Sequence, residues 1–283
     1  MLMQNRRLGR SKLVLQEGQA TVAINNREVF ERPDVVEDYI GGTALRAAER
    51  VILDRHRADY VGKRVLDLGV GAGRTAPSLA PSAARYVGVD FSEKMVAACR
   101  MRIPEWDFQW GDARDLAVFG TGSFDFVLFF FNGLDYVGDE DRRRILGEVL
   151  RVLDRNGVFA FSSHNLEASA RSTWLWRGPD DIGPYLLRPR TPAELARALR
   201  GAGRTIRNRL RNAGKQIRTD RYAILNDPTH QFGLQTYYIS PEAQIDQLRQ
   251  AGFTGPIDVF GDDGLPLSSS TSKEFLHYVV RKV

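Results

Sequence analysis

The chain has 283 residues, 43% of them hydrophobic, which suits a large α/β domain with a substantial core and excludes wholesale disorder. The single cysteine, Cys99, excludes an internal disulfide, residues 1–13 are basic without the apolar stretch of a secretion signal, and no apolar run approaches the roughly 20 residues of a membrane span. The net charge of +5 is uneven: between Arg188 and Arg221 eleven Lys or Arg stand against two acids, so this segment carries +9 and the remainder −4. A cytoplasmic protein with no transmembrane segment and a locally basic surface is expected.

Residues 21–30 alternate around Asn25-Asn26 and predict a small hairpin. Residues 34–56 read as a helical cover broken at Gly41-Gly42. From residue 64 short apolar runs alternate with helical patterns, the signature of βαβ units and a parallel sheet. Strands are expected at 64–69, 86–90, 106–110, 124–130 and 158–162. Before the fifth, Ile145, Leu146, Val149, Leu150 and Leu153 recur at helical spacing, with Asn156-Gly157 as the stop. Asp135 and Asp139 read as loop and helix-cap residues.

After Ser163 the alternation lapses for about seventy residues, far beyond an ordinary connection of roughly 4–6. This insertion holds Trp174, Trp176, Tyr185 and the basic segment, where Thr191-Pro192-Ala193-Glu194 marks a helix start. In that helix Leu195, Ala198, Leu199, Ala202, Ile206 and Leu210 define an apolar side expected to pack on the domain, with arginines around much of the rest. The phrase 222–228, Tyr-Ala-Ile-Leu-Asn-Asp-Pro, predicts an ordered structure. Serines at 268–272 read as a loop. The pattern resumes with a helix from Ser240-Pro241 to Ala251-Gly252 and strands at 257–260 and 275–281.

The strongest signal is Val65-Leu66-Asp67-Leu68-Gly69-Val70-Gly71-Ala72-Gly73-Arg74-Thr75. Closely spaced glycines after a buried strand let the backbone turn sharply and let a ligand approach where a Cβ would intrude. Arg74 stands where a dinucleotide fingerprint requires glycine, which argues against a pyrophosphate cofactor. Asp90 ends the next strand 21 residues after Gly69, a spacing suited to both hydroxyls of a ribose. Asp112, in Gly111-Asp112-Ala113 after the third strand, can accept from an adenine amino group.

These motifs, in this order, resemble the class I S-adenosylmethionine-dependent methyltransferases over about residues 63–165 and 237–283. The resemblance implies a doubly wound α/β sheet of seven strands, mostly parallel with the last antiparallel, and S-adenosylmethionine as the cofactor. It implies that Gly69, Gly71 and Gly73 pack against the methionine portion, that Asp67 helps hold its amino group, and that Asp90 takes the ribose. Phe91 and Met95 would line the adenine, Asp112 and Ala113 would read its edge, and Phe130 to Asn132 would sit beside the sulfonium. A chain of this design divides into a hairpin and helical cover (1–58), a cofactor-binding core (59–165), a basic insertion acting as substrate lid (166–236) and a segment completing the sheet (237–283).

Methyl transfer from a sulfonium requires alignment of nucleophile, carbon and sulfur, and a base where the nucleophile carries a proton. His164, in Ser162-Ser163-His164-Asn165 at the end of the fifth strand, is the first candidate for that base; Tyr39, Tyr237 and Tyr238 are further polar candidates. No triad or metal-ligand spacing is visible, and no metal is expected. A small-molecule or glycan acceptor, O- or N-methylated, is expected. The basic segment also suits a phosphate-bearing acceptor such as a lipid-linked phosphate, an anionic membrane face or RNA. RNA is the less favoured partner, because the segment lacks interleaved aromatics and no nucleic-acid module is recognisable. A binding-only protein, or one using another cofactor, is the alternative from a different class.

Overall fold

The computed structural model describes residues 25–42, 44–171, 191–267 and 273–283. Trp174, Trp176, Tyr185, the serine run 268–272 and most of the expected hairpin lie outside them. Of that hairpin, Arg27–Phe30 is instead a helical turn, α1. Asn26 is buried just before it, donating to the carbonyls of Tyr136 (2.9 Å) and Gln235 (2.7 Å) and accepting from the Gln235 amide (3.0 Å). A side chain that satisfies three backbone groups fixes the chain entry more tightly than a two-residue turn would. The cover continues with α2 (Pro33–Gly41), α3 (Ala47–Arg55) and α4 (Arg57–Tyr60), with the break at Gly41-Gly42 where glycine spacing placed it.

The core follows as β1 (Arg64–Leu68), α5 (Ala76–Leu79), β2 (Arg85–Asp90), α6 (Glu93–Arg102), β3 (Asp107–Trp110), β4 (Phe124–Phe129), α7 (Asp139–Val152) and β5 (Leu153–Asn165). After α8 (Leu166–Arg171) come α9 (Pro192–Asn212), β6 (Ile217–Arg218), β7 (Tyr222–Asp227), β8 (Leu234–Ile239), α10 (Pro241–Ala251), β9 (Ile257–Phe260) and β10 (Phe275–Arg281). Strands β3-β2-β1-β4-β5 are parallel neighbours, and β10 inserts antiparallel between β5 and β9. This is the expected methyltransferase sheet, with all seven predicted strands present. Alternate residues serve opposite faces: Leu66, Val127 and Phe159 pack with Ile145, Val149 and Leu248 of α7 and α10, whereas Val65, Phe126 and Val158 pack with Ile52, Tyr60 and Val96.

Three further strands were not foreseen. β5 is thirteen residues long and outruns β4, whose pairing ends at Phe129↔Phe161. β10 holds the other edge of β5, so the edge that β4 vacates takes up β8 at His164↔Tyr238 and Asn165↔Ile239. β7 and β6 then extend this flap antiparallel. Asn156-Gly157 does not stop α7, which ends at Val152; Asn156 adopts φ 63° inside β5, near a register shift against β4.

The helix of the basic segment begins at Pro192 as the Thr-Pro pair predicts, but its orientation is the reverse of the expected one. Thr205, Asn208 and Asn212 are buried, while Leu195, Leu199, Ile206 and Leu210 are exposed. The cause lies in the segment beneath. His230, Gln231 and Phe232 run consecutively left-handed, at φ 49°, 58° and 57°, a geometry that costs non-glycine residues roughly 1–2 kcal/mol each. Side chains hold it: Asn208 donates to the Gln231 carbonyl (2.9 Å), Asn226 (2.8 Å) and Asn212 (3.3 Å) to that of Phe232, and Arg32 to Gln231 Oε1 (2.8 Å). Polar residues on the inner face of α9 are what a strained backbone turn requires.

A second buried polar network ties α7 to the tip of β5. Arg142 is fully buried on the apolar face of α7. It donates to Asp135 (2.5 Å), the Leu134 carbonyl (3.0 Å), Ser163 Oγ (3.0 Å), Gln244 (2.5 Å) and Gln247 (3.1 Å). Asp135 is therefore neither a simple loop residue nor a cap. Replacing Arg142 with Leu would leave the buried Asp135 carboxylate without its cation and the side-chain oxygens of Gln244 and Gln247 without their donor, and a loss of about 3–5 kcal/mol is expected. Urea unfolding of the purified variant measures it; a change below the scatter of the fit would show that the network contributes nothing.

Candidate functional site

The loop after β1 turns at Gly69 (φ 60°), Gly71 (φ 56°) and Gly73 (φ 85°), a left-handed conformation that glycine adopts without strain. A Cβ on Gly69 would stand 2.5 Å from the Phe129 ring, and one on Gly71 would stand 3.1 Å from Tyr39. The loop thus lies directly beneath aromatic rings. It borders a cleft at the carboxyl ends of β1, β2, β3 and β4, with an empty volume of about 1020 Å³ including its open mouth.

Eight of the ten residues expected at the cofactor line this cleft: Gly69, Gly71, Asp90, Phe91, Met95, Asp112, Ala113 and Phe130. Asp67 and Gly73 do not. The Asp67 carboxylate is buried beneath the loop, where it accepts from Thr75 Oγ1 and Tyr86 Oη (2.7 Å). It braces the loop from inside rather than facing a ligand amino group. Gly73 turns the chain toward α6, where a Cβ would meet Ile103 and Cys99.

Asp90 is almost fully buried, and desolvation pushes its carboxyl up to about 6 against the hydrogen bonds from the Ser92 and Gly71 amides, both 2.9 Å. Each oxygen accepts one of these amides and keeps a second lone pair. Two acceptor positions at a strand tip beside a Cβ-free loop fit the two hydroxyls of a ribose. Asp112 differs. Burial raises its pKa, but hydrogen bonds from Arg114 (Nη2 at 2.6 Å, Nε at 2.9 Å) outweigh this and hold it below the usual carboxylate range.

Of the candidates for chemistry, only Tyr39 lines the cleft. Its ring meets Phe131 and Phe30 edge-on and stacks on His230 at 6.3 Å. Its hydroxyl is raised above the usual tyrosine range by burial and then by Asp90. His164 lies one layer out, between Phe275 (5.1 Å) and Tyr238 (5.0 Å), and Arg46 bridges Phe275 to Phe131 of the cleft wall. Tyr238 donates to Asp227 (2.9 Å), and Tyr237 is a core residue that donates to Asp139 (2.5 Å).

Asp135 also accepts from the His164 amide and lies 2.7 Å from its Nδ1, in addition to accepting from Arg142 and Ser163 Oγ (2.7 Å). A carboxylate so placed accepts, so in the neutral ring Nδ1 carries the proton and the lone pair is on Nε2. Sequence reasoning missed three groups here: Asp135, its partner Arg142 and His230. An arginine at 142 on the same helical stripe as Ile145, Leu146 and Val149 was the available signal. Nothing local marked His230, because its place is set by the left-handed turn. Asn25, Arg27, Phe30 and Tyr136 also line the cleft and were likewise not foreseen. Among the described residues, no group of His, Cys, Asp and Glu is placed to hold a metal ion, and no helix is long and apolar enough to cross a membrane.

A family model described as a methyltransferase domain matches residues 65–157. The chain is 34% identical over 139 residues to a demethylmenaquinone methyltransferase of Paenarthrobacter aurescens, covering 48% of this chain and 53% of that protein. It is 30% identical over 165 residues to a ubiquinone biosynthesis O-methyltransferase of Aromatoleum aromaticum, covering 53% and 67%. The match spans about half the length of the first of these relatives. In fold the chain resembles the 1,6-didemethyltoxoflavin-N1-methyltransferase of Burkholderia thailandensis, solved with its substrate and S-adenosylhomocysteine, at TM-score 0.56 and 15% identity over 98% of both chains. The stretch alike in sequence contains β1 to β4, whose tips border the cleft, and the chain belongs to the class I S-adenosylmethionine-dependent methyltransferases.

Proposed function

We propose that the chain methylates a small molecule carrying a hydroxylated aromatic or quinone-type ring, with His164 as the base. The observation that carries this reading is the aromatic wall of the cleft beyond the glycine loop, formed by Tyr39, Phe131, Phe30 and Tyr136. Such a wall offers flat, apolar faces to a ring. The names of the relatives, which place those proteins in quinone methylation, support the same acceptor class. Among the described residues no arginine of α9 lines the cleft, so the basic segment lends a sugar- or phosphate-bearing acceptor no support.

The bound cofactor supplies a methyl group activated on sulfur. In this reading Asp90 accepts from the ribose hydroxyls, Phe91 and Met95 flank the adenine, and the Gly69 to Gly71 backbone passes beside the methionine portion. The aromatic wall aligns the acceptor, and His164 Nε2, one layer behind that wall, receives the acceptor proton by way of a bridging water, with Asp135 holding the ring by Nδ1. Tyr39 positions the acceptor and stays protonated.

For the Asp90→Ala variant, calorimetry with S-adenosylhomocysteine should find binding weaker by about 1–3 kcal/mol, since charged hydrogen bonds are lost. Unchanged affinity would remove Asp90 from the ribose. The ionised carboxyl is the form that binds, and its pKa is about 6. The rise in Tm caused by S-adenosylhomocysteine should therefore be full well above pH 6 and shrink as the pH falls through it. In Asp90→Asn this dependence should flatten, and persistence of the same profile would assign it to another group.

Methyl transfer to a panel of catechols and hydroquinones tests the acceptor class, and turnover of none of them would refute it. With an accepted substrate, His164→Ala should lower kcat by about 10²–10⁴ while cofactor affinity stays near that of the parent. Full activity would exclude His164 from proton transfer.

A further inference from the structure

Helix α9 presents its leucines to solvent and its amides to the protein. Leu195, Leu199, Ile206 and Leu210 are 46%, 58%, 52% and 75% exposed. At about 100° per residue they fall within roughly 60° of arc, one stripe along a helix about 30 Å long. The buried residues Thr205, Asn208 and Asn212 lie about a third of a turn away. Isolated exposed leucines are ordinary, but a continuous stripe on a helix with a polar inner face is an apolar surface with no partner among the described residues.

The charges beside the stripe identify its occupant. From residue 195 to 212 the sequence holds six arginines and no acid. Arg204 and Arg211 lean away toward the cover, reaching Asp34 (3.2 Å) and Glu28 (3.6 Å). Arg200 and Arg207 border the stripe, are exposed, and make no ion pair among the described residues. Arg209 borders the opposite side, over the Phe232 ring at 4.5 Å. An apolar stripe edged by cations on both sides complements an acyl layer beneath anionic headgroups. Two copies meeting stripe to stripe would bring cationic borders together with no acid between residues 195 and 212 to offset them.

We infer that α9 docks the protein on an anionic lipid surface, with Leu195, Leu199, Ile206 and Leu210 entering the interface and Arg200 and Arg207 meeting headgroup phosphates. The inference does not depend on the acceptor class. It also links the surface to the site: Asn208 and Asn212 of α9 hold the turn that stacks His230 on Tyr39 in the cleft wall. A docked α9 therefore keeps the cleft next to the membrane plane.

The test is flotation of the full chain with vesicles of phosphatidylcholine alone and of phosphatidylcholine mixed with phosphatidylglycerol. Binding to the mixed vesicles, weakened by salt and absent from phosphatidylcholine alone, is expected. The pairs Leu199→Glu with Ile206→Glu, and Arg200→Gln with Arg207→Gln, should each reduce it about tenfold to thirtyfold. Both pairs lie on the exposed side, so their Tm and S-adenosylhomocysteine affinity should match the parent and exclude misfolding. Absence of binding by the parent, or equal binding by both variants, would overturn the inference. So would concentration-dependent self-association that Ile206→Glu abolishes, or salt-sensitive RNA binding with no vesicle binding.

Discussion

The buried Asp135–Arg142 pair organises the site more than any other interaction. Both side chains are fully withdrawn from water, a state tolerated only when every donor and acceptor is matched. The matching groups come from the turn after β4, from α7, from the tip of β5 and from α10. Withdrawing any one of them leaves a charge or an amide unpaired in the interior, so these elements hold one another in register. His164 is the outermost member, its ring oriented by a carboxylate that is itself clamped. The network thus converts the cost of burying charge into a fixed imidazole at the end of the longest strand.

Beside it, the glycine-loop end of the cleft uses buried carboxylates differently. Among the described residues Asp67 and Asp90 have no cation in contact, and burial raises each to about 6. Raised carboxyl pKa values mean that ionisation works against the folded chain without ligand. Stability from these groups is full below the unfolded value near 4 and is lost as the pH rises through 6. Asp67 offsets the cost with a threonine and a tyrosine and locks the glycine loop from below. Asp90 is held by backbone amides, those of Gly71 and Ser92 at 2.9 Å, and lines the cleft. A ligand donating to its carboxylate would relieve an existing strain, which is how a fold can favour occupation of a site without covalent chemistry.

The flap built on β5 joins the site to the surface. Because β5 outruns β4, β8 can pair beyond the core, and its neighbour β7 leads into the left-handed turn at His230. That turn is sustained by amides from α9, so α9 must face inward with its asparagines. The apolar side of α9 is then left outside, and the exposed stripe follows from the conformation that places His230 against Tyr39.

Much of the core was legible in the sequence because its signals are local. Val65 to Thr75 combines a buried strand with three glycines, and Asp90 and Asp112 follow at the spacing that one βαβ repeat imposes; periodicity marks the individual strands, and the methyltransferase resemblance implies their sheet and the cleft at their tips. The sequence also marked the helix start at Thr191-Pro192. Which face of α9 is buried, which carboxylate reaches the cleft and which only braces it, and how His164 acquires a partner were settled by tertiary structure. Asp67 and Asp90 look alike as strand-end acids, yet one is covered by Thr75 and Tyr86 and the other is not. The leucines of α9 read as a core face because periodicity reports that a face is apolar, not what it meets. Pattern along a chain records local preference, whereas the partner of a buried charge or of an apolar stripe is chosen by residues far away in sequence, and only packing brings them together.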